Sequence, residues 1–309
     1  MQQRRKLPAR TVFVGACAVL VLLMPFEKLV AAEEEETRTD CFDADVSWED
    51  GDGFSALTIP STCISLSFWK VNFGDAGIAA ISKMLKSNPI LERLRMMENG
   101  FGEEGAFALA DALKVNTALK TLGLHNNKIG AVGATAISGA LEVNSKLTHV
   151  VFDRTDIGDV GAAAVMQAWT AREQAGGALN LGLIENGITD DGAIYIAELL
   201  KNNPSVASIN LMNNKIGTVG GTMLAGALVV NTKLEELNLL GNDDIGDSIN
   251  ANIKEAVEKN KARREQEEKG EKEQNKNQQE ADSSEGQQKP QDAGGQTPHA
   301  ETGHDSGEL

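Results

Sequence analysis

Apolar and polar positions repeat along most of this chain in a fixed frame of 28 residues. In the copy Leu119–Lys146, LKTLGLHNNKIGAVGATAISGALEVNSK, apolar residues hold the first, fourth and sixth positions: Leu119, Leu122 and Leu124. The fourth and sixth alternate with polar neighbours, which is the period of a half-buried strand. The same pair recurs as Leu66 and Phe68, Leu94 and Met96, Val150 and Phe152, Leu181 and Leu183, Ile209 and Leu211, and Leu237 and Leu239. That makes seven copies. The second half of each changes to helical spacing, so that Leu109, Ala112 and Leu113, or Ile137, Ala140 and Leu141, lay one apolar stripe along one face. A strand–turn–helix unit this small cannot bury its apolar face alone, and the pattern predicts a stack in which each unit covers the next.

Between strand and helix, the ninth position carries Asn99, Asn127, Asn186, Asn214 or Asn242, with Val71 and Thr155 as exceptions. An amide side chain donates and accepts at once, so stacked asparagines can satisfy backbone groups bared where each strand turns. Glycines at one offset (Gly77, Gly105, Gly133, Gly161, Gly192, Gly220) predict close backbone approach or unusual dihedrals where loop meets helix. Asn88, Asn116, Asn144, Asn203 and Asn231 end helices, which predicts left-handed C-caps. The fourth copy runs to 31 residues, with AREQAGGA inserted at its helix exit. The seventh, from Leu234, drifts from the pattern as a capping unit does.

The signature LxxLxLxxN with a helix in the second half resembles a leucine-rich repeat. The 28-residue length and the IGxxGA…LAxAL segment resemble the ribonuclease-inhibitor-like subclass. The resemblance covers residues 63–257. It implies an α/β fold: a curved solenoid, or horseshoe, with a concave parallel sheet and convex helices, which binds without catalysis.

Outside the repeats the composition changes. Residues 1–32 join a basic start (Arg4, Arg5, Lys6, Arg10) to a fourteen-residue apolar run and end on Val30-Ala31-Ala32. This is the tripartite pattern of a secretory signal, and the run falls short of the roughly 20 residues that a spanning helix needs. Cleavage after Ala32 and a secreted or lumenal location are expected; the rival is an uncleaved signal-anchor, the only route to a membrane. Cleavage takes net charge from −16 to −20, and residues 33–62 form an acidic N-terminal cap with ten acids against one base. Such a balance argues against nucleic acid as partner. The tail, 258–309, is charged and poor in apolar residues; its start can prolong the last helix a few turns, and the remainder reads as disordered.

Two cysteines stay after cleavage, Cys41 and Cys63. An even pair in an exported chain suggests a disulfide that pins the cap onto the first repeat; two buried thiols are the alternative. No histidine lies near them for zinc, and the acids of DADVSWEDGD do not match a calcium-loop spacing. No nucleophile elbow, phosphate loop or metal motif occurs, so neither catalysis nor a cofactor is expected.

The informative surface is the sheet. Strand alternation points the third, fifth, seventh and eighth positions outward. Its first half gathers Trp69, Lys70, Arg93, Arg95, Met97, His125 and Arg154 in an otherwise acidic chain, while the second half is neutral and amide-rich. Register sets Asp153 beside His125, a surface contact rather than a catalytic dyad. Trp and Arg are typical interface anchors, which suggests capture of another protein with an acidic surface, or of a polysaccharide. Alternatively, Trp69 leans under the cap and the arginines pair with the cap's acids. Two further functions fit: a cytosolic regulator similar to Ran GTPase-activating proteins, which join such repeats to an acidic tail, or a structural wall or matrix component.

Overall fold

The computed structural model describes residues 39–42, 45–48, 57–172, 179–202 and 206–285. The expected signal at 1–32, most of the insertion, Asn203 and the end of the tail lie outside these residues. The cap holds β1 (Thr39–Phe42), β2 (Ser47–Trp48) and β3 (Leu57–Thr58). The repeats follow as β4 (Cys63–Trp69), α1 (Gly74–Ser87), β5 (Arg93–Met97), α2 (Glu103–Leu113), β6 (Thr121–Gly123), α3 (Gly130–Leu141), β7 (His149–Val151) and α4 (Gly158–Ala171). Then come β8 (Leu179–Gly182), α5 (Asp190–Asn202), β9 (Val206–Asn210), α6 (Thr218–Val230), β10 (Glu236–Asn238) and α7 (Asp247–Glu285).

Strand β1 and strands β4 to β10 form one open parallel sheet in chain order, and β2 pairs antiparallel with β3. The register sets equivalent residues side by side: Leu66, Leu94, Leu122, Val150, Leu181, Ile209 and Leu237. Behind the sheet, Ile81, Leu109, Ile137, Val165, Ile196 and Leu224 from the helices are fully buried. Each such aliphatic side chain contributes about 1.5–3 kcal/mol on leaving water. The repeated glycine permits close helix packing: a Cβ on Gly133 would stand 2.9 Å from the Cβ of Ala106.

The ninth-position asparagines are buried and interlock neighbouring repeats. Asn127 Nδ2 donates to the carbonyls of Met96, Leu124 and His125, and its Oδ1 accepts from Asn99 N–H. Asn99 in turn accepts from Val71 and Asn72 N–H, which supplies the first repeat despite its valine. Thr155 reaches only Phe152 O within its own turn and Asn186 Oδ1 beyond it. It donates nothing back to the repeat before, so one rung is missing there.

A second asparagine ladder corrects the C-cap expectation. Asn88 and Asn231 are extended, with ψ of 115° and 113°, not left-handed. Their side chains cap the chain ahead instead: Asn88 Oδ1 accepts from Ile90 and Leu91 N–H, as Asn231 does from Lys233 and Leu234. Asn116 Nδ2 reaches back to Leu85 and Asn88 carbonyls, and Asn144 Nδ2 repeats this on Leu113 and Asn116. Asn260 closes the row, donating to Asn231 and Leu234 carbonyls.

Asp75 and Asp190 make a third inter-repeat contact. Asp75 Oδ1 accepts from Gly102 and Gly105 N–H, and Asp190 Oδ1 from Gly217 and Gly220 N–H, so each caps the helix of the next repeat.

At the N-terminal end, Cys41 and Cys63 form a disulfide with a Cα–Cα distance of 5.9 Å. At the other end, Ile253 of α7 is buried and Ile249 and Val257 pack partly against the core. Helix α7 continues to Glu285, further than the few turns expected. Its residues from Lys261 belong to a second compact unit, where Arg264 and Glu268 pair at i,i+4. Among the described residues, no helix is long and apolar enough to cross a membrane.

Candidate functional site: the concave sheet

The parallel ladder extends past the strands proper. Backbone N–H groups of Lys70, Glu98, Asn126, Arg154, Glu185 and Asn213 donate to the carbonyls of Met97, His125, Asp153, Ile184, Met212 and Leu240. Seventh-position side chains therefore stand on successive rungs. The eighth residues turn left-handed, from φ 52° at Glu185 to 78° at Gly241. Asparagine and glycine at three of these sites (Asn126, Asn213, Gly241) were the available sequence signal, since both tolerate that region. Lys70, Glu98, Arg154 and Glu185 gave none.

This turn builds a charged rail whose members pair with one another. Lys70 Nζ lies 3.1 Å from the Glu98 carboxylate and 5.2 Å from the Trp69 ring. Arg154 grips Glu185 with two bonds, Nε–Oε2 at 2.6 Å and Nη2–Oε1 at 2.8 Å, and Asn213 Nδ2 adds a third. Together they hold the Glu185 carboxyl down to about 2. A depressed carboxyl stabilises the fold above its unfolded pKa, and that stability drains as pH falls from about 4.5 toward about 2. Glu185→Gln should therefore flatten the pH dependence of urea unfolding in that window and leave it unchanged near pH 7.

The two alternatives for the Trp69–arginine cluster divide by residue. Arg93 Nη2 pairs with Asp40 of the cap at 3.2 Å. Trp69 is not a core residue: it is 64% exposed, with Nε1 at 3.5 Å from Glu98 Oε1. Arg95 is exposed, and among the described residues no carboxylate forms an ion pair with it. Met97 is half-buried beside Trp69 in the register of β4 and β5.

His125 and Asp153 face each other across the next rungs, with Nε2–Oδ2 at 3.6 Å, and Ile184 N–H donates to Asp153 Oδ1. Burial lowers the His125 pKa and outweighs the pull of Asp153. Burial likewise raises Asp153. Among the described residues, no serine or cysteine side chain is hydrogen-bonded to this pair as a nucleophile would be. Among the described residues, no cluster of His, Cys, Asp and Glu is arranged to hold a metal.

A family model described as Leucine Rich repeat matches residues 87–110, 115–138, 143–166, 202–225 and 230–249. No curated protein sequence matches the chain. Among solved structures, leiomodin-1 actin-binding site 2 is similar at 19% identity and TM-score 0.49, covering 56% of this chain and 96% of that one. The tropomodulin C-terminal domain of Caenorhabditis elegans is similar at 10% identity and TM-score 0.31, covering 78% and 98%. With its in-register strands, asparagine-locked turns and outer helices, this chain is a leucine-rich-repeat protein.

Proposed function

We propose that the protein acts after export as a non-catalytic binder that holds another protein, preferentially through an acidic surface, on its concave sheet. The exposed Trp69 carries this reading. A large aromatic ring standing in solvent on a sheet face, with the exposed Arg95 on the neighbouring strand, combines two residue types that interface hot spots favour. The Cys41–Cys63 disulfide supports an oxidising compartment over the cytosol. Trp69→Ala should weaken the captured partner at least about tenfold and leave the melting temperature unchanged. Unchanged affinity would remove the concave face from the account. Sequencing the mature N-terminus tests export separately: Glu33 first and no free thiol supports it, and an intact Met1 with free thiols overturns it.

A further inference from the structure

The amide-rich half of the sheet hides a second apolar patch. Ile184, Met212 and Leu240 occupy the seventh position on three consecutive rungs, and Leu240 is 72% exposed. Trp69 and Met97 hold the same position on the first two rungs. The polar groups alongside are largely occupied: Arg154 and Asn213 both donate to Glu185, Ser208 binds Glu236, and Asn180 binds His149. What this face offers a partner is therefore apolar area at both ends and, near the first, the exposed Arg95, which has no ion-pair partner among the described residues.

Spacing selects the partner's conformation. Neighbouring rungs lie about 4.8 Å apart, so three rungs span about 10 Å. An α-helix laid across the strands presents one apolar residue per turn of about 5.4 Å, or about 11 Å over the same interval. An extended peptide repeats its side only every ~6.7 Å, about 13 Å, and loses register by the third rung. Arg95, an exposed cation without an ion-pair partner among the described residues of a chain of net charge −16, adds charge complementarity for a carboxylate.

We propose that this row is a track for an amphipathic helix of a partner protein, which lies across the strands with apolar residues on Ile184, Met212 and Leu240 and an acidic residue toward Arg95. The proposal rests on the concave-face reading and narrows it to one class of partner. The test is selection from a display library of random 20-residue peptides against the full chain, followed by binding of the enriched peptides to Leu240→Asp, Trp69→Ala and Arg95→Glu. The expected result is enrichment of helical peptides with apolar residues at i, i+3 or i+4 and i+7. Leu240→Asp should weaken them at least about tenfold, and Arg95→Glu should exchange the preferred acid for a base. Peptides with apolar residues at i, i+2, or a proline-rich period, that still lose affinity to Trp69→Ala would overturn the helix while keeping the concave face. Enriched peptides indifferent to all three variants, or no enrichment, would overturn both.

Discussion

Asn127→Leu is expected to lower the free energy of unfolding by roughly 3–5 kcal/mol, from the cost of leaving several buried polar groups without partners. Leucine keeps the branched skeleton of asparagine and is the larger of the two, so the loss does not come from a cavity. It comes from the Met96 and Leu124 carbonyls and the Asn99 N–H, which lose the amide together, while the His125 carbonyl keeps the Glu98 N–H. Against a typical total of about 5–15 kcal/mol this is a large fraction. In a stack the damage falls at one interface, between the second and third repeats, so cooperativity should break there. Urea unfolding followed both by circular dichroism and by fluorescence should give two non-coincident transitions. Lys128→Ala, at an exposed position just past the same turn, should behave as the unaltered chain does. A single unshifted transition for Asn127→Leu would mean the ladder is ornamental.

Removing the disulfide is the second large effect. Cys41 and Cys63 close a loop with a sequence separation of 22, and the chain-entropy account assigns such a link about 3 kcal/mol. The double variant Cys41→Ala, Cys63→Ala keeps both sites apolar and isolates that contribution. Because β1 is the edge strand beside β4, the loss should concentrate at the N-terminal end. Hydrogen exchange should quicken in β4 and α1 and stay slow in α5 and α6. Uniform acceleration along the whole chain would show that the cap and the distal repeats unfold as one unit.

These two effects differ in how plainly the sequence announces them. The apolar frame located every sheet strand from Cys63 to Asn238, because burial on one face forces a period of two. The ninth-position asparagine was legible for the same reason: a buried amide recurring at each strand end has few other uses. The helix-end asparagines do not declare their role, because their identity fits both a left-handed cap and a side-chain bridge, and only the positions of neighbouring carbonyls decide between them. Asp75 and Asp190 act on the following repeat, across 27 to 30 residues, which local capping rules do not search. On the concave face, Arg93 and Arg95 look alike in sequence, two residues apart on one strand. Arg93 pairs with Asp40, while Arg95 has no ion-pair partner among the described residues, and only the fold separates the two. Leu240 carries no such mark in sequence, because its same-face neighbours along the strand are polar and only stacking lines it up with Ile184 and Met212.

Methionine oxidation of the complex tests the binding face most directly. Met97 and Met212 stand half-buried on the concave side, while Met84 and Met223 pack partly against the core from the helices. With partner bound, peroxide should oxidise Met97 and Met212 several-fold more slowly than in the free protein, and Met84 and Met223 at their former rates. Protection of the helical pair with the sheet pair unchanged would place the partner on the convex side and contradict the account.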